Sequence, residues 1–376
     1  MSVTSVREGG PILKGPWDFD DSPISRVAEQ PLLLGLFLNL QDIKTSTHPT
    51  TNSWTFDYNL ALVQKAEELG FELAFSRSQW LPKGGYDGEA SIDAFVALGA
   101  MAAATKRIML ISTLHVLYGP LHPLHIAKWG ATLDHISKGR WELTLSLGIV
   151  PLRLRCLVDN RSSTINAMRW RASCLMLLIV SGIENAWITP KPLYGRPILV
   201  NATGSAAGID FAAKYSDLIF ITSPGGAHIE SALETLPAHI ATIKEAAKAV
   251  GRKIKTLINP IIISRDTPEE AEAYADSIAE GSGGSLGSSK FNNNANAYKS
   301  DAHGWRGRKD PSHKQGRNLG GNIEIIGSPE QVVAQIKALH KTGVDGIQMN
   351  FYDFAPDLDY FGQKILPLLK IASLRI

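Results

Sequence analysis

The stretch VNATGSAAGIDFAAKYSD, residues 200–217, joins a predicted strand to a predicted helix through a turn that contains glycine and serine. Residues 197–200 form a short apolar run that is typical of a buried strand, whereas alanine and aromatic residues recur at helical spacing from Ala206 onward. Backbone N–H groups and the positive end of the dipole meet at such a helix N-terminus, which suits a phosphate monoester. An ordinary strand-to-helix turn has the same composition, so this stretch alone leaves both interpretations open.

The same strand-then-helix unit recurs along the chain from residue 32 almost to the end. Amphipathic helices are predicted between the strands, for example over residues 57–69 and 90–104. Eight such parallel units predict a (β/α)8 TIM barrel in the α/β class, with a doubly wound sheet as the alternative. The predicted strands cover residues 32–38, 71–76, 108–114, 141–147, 198–202, 218–222, 254–263 and 346–351.

Two predicted helices begin with the same sequence pattern, a capping residue followed by proline and then by acidic or amide side chains. The sequence is DTPEE over residues 266–270 and GSPEQ over residues 327–331. Proline suits the first helical position because its missing N–H would have no partner there. Both segments therefore predict a helix that begins at the proline.

We predict one barrel domain over residues 1–376, with residues 1–30 as an N-terminal extension. Residues 281–321 interrupt the alternation with GSGGSLGSS, FNNNANAYKS and the basic run HGWRGRKDPSHKQGR. A loop of this length and composition is predicted to be mobile. Because insertions of a barrel cover the C-terminal face, where the chemistry occurs, a lid is favoured over a linker.

Composition narrows the class of protein and of partner. The 376 residues carry 38 Lys and Arg against 36 Asp and Glu, a net charge of +2, and this balance argues against a nucleic-acid or membrane-surface partner. The two cysteines, Cys156 and Cys174, lack metal-ligand spacing, which indicates a reducing compartment. A neutral small molecule or a protein is the expected partner. No signal peptide or apolar run of about 18 residues is evident, so we predict a soluble, cytoplasmic protein.

Three histidines, His115, His122 and His125, follow the third predicted strand without a carboxylate at ligand spacing, so no metal site is predicted. His115, at the C-terminal end of a barrel strand, is predicted to contact substrate or cofactor. Asp134 and Arg140 flank the start of the fourth strand and are predicted to form a structural pair at the base of the barrel.

The basic side chains of the insertion have two possible roles. They are either a solvated charge run or a set of groups that closes over an anionic intermediate, and Trp305 beside them offers an apolar anchor. The residues concerned are Arg306, Arg308, Lys309 and Arg317.

Three motifs together resemble the bacterial luciferase-like flavin monooxygenases. They are GATLDHISKGRW over residues 130–141, NATGSAAGIDFAAKYSD over residues 201–217 and GSPEQVVAQIKALHKTGVDGIQMNFYDFAPDLDYFGQKILPLL over residues 327–369. The C-terminal motif is most similar to dimethylsulfone monooxygenases, and alkanesulfonate and pyrimidine monooxygenases are more distant. The resemblance covers residues 31–147 and 184–376.

The resemblance implies an FMN-dependent monooxygenase that oxygenates a small organic or organosulfur substrate with O2. It implies reduced FMN from a separate NAD(P)H-dependent flavin reductase, and a homodimer or homotetramer. Such chemistry depends on excluding water and stray protons from the flavin.

The resemblance also assigns site residues. Thr203, Gly204, Ser205 and Ala206 match the phosphate loop, and Ser76, Thr113, His115 and Thr144 fall at strand ends that line the flavin and substrate pocket. Hydrogen-bond donors toward the reacting oxygen or a sulfone oxygen are expected from His303, Arg306 or Arg308.

Residues 148–183 depart from the family pattern, which has a Gly-Trp loop, an acidic stretch and an aromatic-rich helix there. This chain is shorter and basic in that segment, and Thr144 replaces an asparagine that faces the flavin. Either the segment has diverged and remodelled the FMN site, or a shifted reading frame has damaged the barrel. Besides the monooxygenase, two functions therefore stay open: an inactive barrel that serves as a scaffold, and a deazaflavin-dependent oxidoreductase.

Overall fold

The computed structural model describes residues 14–38, 40, 46–76, 90–115, 123–145, 189–202, 206–282, 319 and 323–376. Among these residues, eight parallel strands close into a barrel in the order β1-β10-β7-β6-β5-β4-β3-β2. Because β1 pairs with both β2 and β10, the sheet has no edge, and the doubly wound alternative is excluded. The strands are β1 (Leu33–Leu38), β2 (Leu73–Ser76), β3 (Met109–His115), β4 (Trp141–Leu145), β5 (Ile198–Ala202), β6 (Leu218–Ile221), β7 (Lys255–Ile258) and β10 (Gly346–Met349), with β8 (Pro260–Ser264) and β9 (Ile323–Gly327) as a separate parallel pair.

A short helix, α1 (Pro23–Val27), precedes the first strand, and the other helices pack on the outer faces of the barrel strands. Those before β5 are α2 (Phe56–Glu68), α3 (Ala94–Ala104) and α4 (Pro123–Ser137). After β5 the chain forms α5 (Ala206–Tyr215), α6 (Ile229–Ala249), α7 (Pro268–Ser282) and α8 (Pro329–Lys341). It ends in α9 (Phe354–Tyr360), a π-helical turn (Phe361–Ile365) and α10 (Leu366–Ile371). In this described part, no helix combines the length and apolarity needed to cross a membrane.

Both helix starts marked by proline are confirmed. At the start of α8, Ser328 accepts a hydrogen bond from Gln331 N while the Gln331 side chain bonds back to the Ser328 N–H, which is a complete capping box. Thr267 and Glu270 make the same reciprocal pair of bonds, each at 3.2 Å, at the start of α7. These bonds satisfy N–H groups that have no partner inside a helix.

Alternation along the strands separates two hydrophobic cores. Side chains on the outer faces pack with the helices, whereas those on the inner faces fill the barrel. The inner core consists of Leu33, Leu73, Phe75, Met109, Ile111, Ile198, Val200, Leu218, Phe220 and Leu257, together with Ile24 from α1.

Most predicted strands correspond to observed barrel strands, but the prediction over residues 254–263 is wrong. That run contains two strands, because the chain leaves the barrel after Ile258 and Pro260 begins β8. Strand β8 pairs with β9, a strand just after the insertion that was not predicted from the sequence. Proline has no N–H to donate to a ladder, so it suits the first residue of a new strand.

The described part of the N-terminal extension closes the base of the barrel. A 3-10 turn (Pro16–Asp18) and α1 lie under the N-terminal ends of the strands, where Ile24 is 1% exposed and Trp17 and Val27 pack beside it. Lys255, on the inner face of β7, donates to the Ala28 carbonyl at 3.3 Å. Among the residues that the structure describes, the base of the barrel is therefore closed to a ligand.

The predicted pairing of Asp134 with Arg140 is wrong. Arg140 instead donates to carbonyl oxygens at the end of α3 and the start of β3, and to the Thr105 hydroxyl at 2.9 Å. Asp134 accepts a hydrogen bond from Leu193 N at 2.8 Å and is 3% exposed. Both residues are structural, as expected, but Arg140 bonds to the segment between α3 and β3, whereas Asp134 bonds to the segment before β5.

The Asp134 carboxyl is expected to make stability depend on pH. Burial raises its pKa from 3.8 to about 6, so the folded state binds a proton more tightly than the unfolded state. The free energy of unfolding should fall by about 3 kcal/mol as pH rises from about 4 to about 6 because of this group. When the free energy of unfolding is measured in urea across this pH range, Asp134→Asn should remove this part of its pH dependence. Asp210→Asn, which alters an exposed carboxyl on α5, should leave the pH dependence intact. An unchanged pH dependence in Asp134→Asn would show that this carboxyl titrates normally.

Candidate active site

The C-terminal mouth of the barrel has an aromatic floor. In a staggered parallel barrel, one layer of inner side chains comes from alternate strands. The register pairs put Phe75, Thr144, Phe220 and Gln348 in one layer. The rings of Phe75 and Phe220 meet edge to face with centroids 4.8 Å apart, and Phe37 stacks on Phe75 at 4.3 Å.

This aromatic floor, defined by Phe37, Phe75 and Phe220, suits a flat apolar ligand. Phe75 and Phe220 are 7% and 8% exposed, and the layers below them are filled by the inner core. Water therefore cannot reach the floor from below. A ring system that lies on it would be shielded on one face by carbon alone.

Thr144 supplies a polar group at the edge of the aromatic floor. It lies near the end of β4, opposite Val200 of β5, and is 1% exposed. Within the described part of the chain, its hydroxyl has no hydrogen-bond partner. A buried hydroxyl of this kind is normally satisfied, so Thr144 offers a ready contact to a polar edge of a ligand.

The strand-to-helix unit of residues 200–217 forms as the sequence predicts. Strand β5 ends at Ala202, and α5 begins at Ala206, which is exposed. Thr203, Gly204 and Ser205 lie outside the described residues. The N-terminus of α5 thus follows a barrel strand at the mouth, where a helix dipole favours an anion.

The other predicted pocket residues of β2 and β3 lie at strand ends. Ser76 is the last residue of β2 and is fully buried, and strand alternation puts it on the same face as Ala74, which packs in the outer core. Thr113 and His115 lie on the last part of β3, where the pairing with β4 becomes irregular between Ser112 and His115. The side chains of Thr113 and His115 are outside the described part of the chain, so their predicted roles stay predictions.

Only the flanks of the insertion are described. Its first end is tied to the loop that follows β1, since Thr47 N donates to the Gly281 carbonyl at 3.1 Å and the Ser46 hydroxyl donates to Ile278 at 2.7 Å. At the other end, Leu319 is buried against β8. His303, Arg306 and Arg308 lie outside the described residues, so their predicted roles stay predictions.

A comparison with protein families decides the identity of the barrel. The model described as luciferase-like monooxygenase matches residues 37–151 and 180–346, which is more than half of the chain. The chain belongs to the luciferase-like monooxygenase family. This confirms the resemblance that the three motifs indicated and makes the chain a member of a monooxygenase family.

Relatives of this luciferase-like chain include two kinds of monooxygenase. The FMNH(2)-dependent dimethylsulfone monooxygenase of Pseudomonas fluorescens (strain Pf0-1) is 28% identical over 343 residues, 84% of this chain and 88% of that protein. The pyrimidine monooxygenase RutA of Allorhizobium ampelinum (strain ATCC BAA-846 / DSM 112012 / S4) is 26% identical over 369 residues, 87% of this chain and 92% of that protein.

Solved structures confirm the luciferase-like barrel fold. DmoA from Hyphomicrobium sulfonivorans superposes with a TM-score of 0.73 at 16% identity, covering 92% of this chain and 89% of that chain. An F420-dependent secondary alcohol dehydrogenase superposes with a TM-score of 0.61 at 16% identity, covering 92% and 99%. At these identities the likeness extends to the fold and not to the cofactor.

The divergent segment coincides with the gap in the family match. The luciferase-like model leaves residues 152–179 unmatched, within the segment 148–183 that departs from the family pattern. These residues lie outside the described part of the chain.

The aromatic floor and Gln348 were not predicted from the sequence. The signal was present in β1 and β2, where Phe37 and Phe75 alternate with residues of the outer core. In a barrel, every second residue of a strand points inward, so a phenylalanine near a strand's C-terminal end is a candidate for the mouth.

Proposed function

We propose that this luciferase-like chain is a reduced-FMN-dependent monooxygenase that transfers one oxygen atom from O2 to a small organic or organosulfur substrate. The observation that carries the proposal is the aromatic floor, which lies at the C-terminal end of the barrel strands and is closed from below by the inner core. The FMNH(2)-dependent dimethylsulfone monooxygenase supports reduced FMN as the cofactor, and both this relative and the pyrimidine monooxygenase support a small substrate.

The residues present fit a flavin. The aromatic floor would hold the isoalloxazine ring, and the orphaned hydroxyl of Thr144 would bond to its polar edge. The N-terminus of α5 at Ala206 would receive the phosphate, with Thr203, Gly204 and Ser205 as the proposed loop. When bound, reduced FMN supplies the two electrons that activate O2.

The chain's own contribution is to exclude water and to orient the reactants. The filled inner core keeps water away from below. Residues 281–321 are proposed to cover the mouth from above, because the first flank of that segment bonds to the loop that follows β1. His115 on β3 and His303, Arg306 and Arg308 in the insertion are the proposed donors toward the substrate oxygen.

Partners follow from this chemistry. We propose that a separate NAD(P)H-dependent reductase supplies reduced FMN, as the name of the FMNH(2)-dependent relative suggests. A cytoplasmic location and a homodimer or homotetramer are further parts of the proposal.

The proposal is tested by titrating the purified protein with reduced FMN under anaerobic conditions, followed by a coupled assay with a flavin reductase. Saturable binding and oxygen-dependent product from small sulfones, sulfonates or pyrimidines are expected. No saturable binding of reduced FMN would favour the scaffold, a second candidate that the unmatched residues 152–179 support. Binding of reduced F420 in preference to reduced FMN would favour a deazaflavin enzyme.

A further inference from the structure

The interior of the barrel contains an acid that the proposed flavin site does not use. Glu142 lies on β4, in register with Ile111 on one side and Ile198 on the other. It is 0% exposed, and within the described part of the chain neither carboxylate oxygen has a hydrogen-bond partner. An acidic side chain this deeply buried is rare unless it is paired, so it calls for a role.

A second orphaned polar side chain faces the same interior. Gln348 of β10 is 0% exposed, and neither its amide oxygen nor its amide nitrogen has a partner among the described residues. Its amide lies directly over Gly35, where a Cβ would be 2.2 Å from the Gln348 Oε1 atom. Glycine at position 35 therefore leaves room for this amide, which a larger side chain would displace.

The stagger of the barrel puts Glu142 one layer below the inner residues Gly35 and Ile111. Gly346, on the opposite strand β10, shares the Glu142 layer together with Leu73 and Leu218. Two glycines thus face the centre of the barrel, but the Gln348 amide fills the space over Gly35, and a Cβ at Gly346 would be 2.7 Å from Leu257. The centre is therefore polar and closely packed, and a water molecule there would be held by the carboxyl, the amide and the Thr144 hydroxyl.

Thr144 connects this centre to the mouth. It lies two residues above Glu142 on the same inner face of β4, about 6.6 Å along the strand. Its hydroxyl is also without a partner among the described residues. One water molecule between the carboxyl and the hydroxyl would complete a hydrogen-bonded path from Glu142 to the edge of the aromatic floor.

The electrostatic surroundings favour the protonated acid. Burial raises the pKa of Glu142 well above its ordinary value, and the negative charge of Asp217 at the start of β6 raises it further. Asp217 is itself held by Arg196 and Arg252. Lys255, the charged residue on the inner face of β7, bonds to Ala28 at the base.

We propose that Glu142 is a positioning residue that stores a proton in the barrel and delivers it through Thr144 to the mouth during oxygenation. The role in oxygenation rests on the proposed function. One oxygen atom of O2 enters the substrate and the other leaves as water, while anionic reduced FMN supplies two electrons and one proton. The water molecule needs one further proton, which Glu142 gives up and regains from solvent along the same path.

The first test is independent of flavin and uses infrared spectra of the full-length protein at neutral pH. Wild type minus Glu142→Gln should show the carbonyl stretch of one protonated carboxyl, and Asp210→Asn, which alters an exposed carboxyl, should leave that band in place. After transfer to D2O, the band of wild type should shift at least several-fold faster than that of Thr144→Val. Absence of the band, or equal exchange in Thr144→Val, overturns the inference whatever the cofactor is.

The second test measures coupling, the product formed per reduced FMN oxidised, across pH. Glu142→Gln should lower the rate of product formation by about 100-fold, the low end for a positioned acid, and should remove the loss of activity at high pH. Glu142→Asp keeps an acid but matches the shape of glutamate less well than glutamine does, and it should form product faster than Glu142→Gln. A purely structural role predicts that Glu142→Gln is the faster variant. If wild type binds no reduced FMN, the proposed function fails and the role in oxygenation fails with it, while the infrared test still reports on the stored proton.

Discussion

Replacing Asp217 by alanine is expected to destabilise the protein by about 3–5 kcal/mol, because it leaves buried charges without a partner. Asp217 is 0% exposed and accepts hydrogen bonds from Arg196 Nη1 at 2.5 Å and Nη2 at 2.8 Å. It also accepts from Arg252 at 3.3 Å and from Leu199 N at 2.9 Å, so one carboxylate ties the start of β5 to the start of β6. Urea unfolding monitored by circular dichroism measures the effect.

Asp210→Ala is the matched control for this prediction. Asp210 also pairs with a basic side chain, Lys214 at 2.9 Å, but both partners lie exposed on α5. An exposed pair of this spacing contributes about 0.3–0.5 kcal/mol. Similar losses in the two variants would mean that the ion pairs at the base of the barrel do not hold β5 and β6 together.

Replacing Phe75 by alanine is expected both to destabilise the protein and to weaken flavin binding. Its ring contacts Phe37 at 4.3 Å and Phe220 at 4.8 Å, so its loss leaves a cavity in the centre of the aromatic floor. Replacing a buried phenylalanine by alanine lowers the free energy of unfolding by about 3–5 kcal/mol. The dissociation constant of reduced FMN should rise by about tenfold, since a ring on the floor loses one aromatic contact.

Phe71→Ala separates the two effects. Phe71 precedes the same strand and is 3% exposed, but it packs against Phe361 in the outer core, with ring centroids 5.8 Å apart. Its truncation should cost a similar amount of stability and leave the affinity for reduced FMN unchanged. Equal losses of affinity in the two variants would indicate that unfolding, and not the floor, governs binding.

Hydrophobic periodicity and turn chemistry were sufficient to predict the barrel and most of its strands. Residues 198–202 were predicted with the observed bounds of β5, because an apolar run ended at a turn and a helical pattern followed at Ala206. Periodicity failed over residues 254–263, where the apolar run continues across a change of partner strand. A purely apolar run gives no signal for which strand will pair with it.

The candidate site was less predictable than the fold. The stagger of the strands brings together the layers that contain Phe37, Phe75, Phe220 and Gln348. A single sequence does not contain that register. Strand β4, with the sequence WELTL, carried a local signal of which only Thr144 was used in the prediction and Glu142 was overlooked. Polar Glu142 and Thr144 alternate there with apolar residues inside a strand that is buried on both faces.

The most direct test of the central claim is a crystal structure of the protein with FMN bound. We expect the isoalloxazine ring to lie on Phe37, Phe75 and Phe220, with Thr144 within hydrogen-bond distance of its polar edge and the phosphate at the N-terminus of α5. An FMN molecule bound elsewhere, or a barrel mouth filled by the chain's own side chains at saturating FMN, would contradict the account.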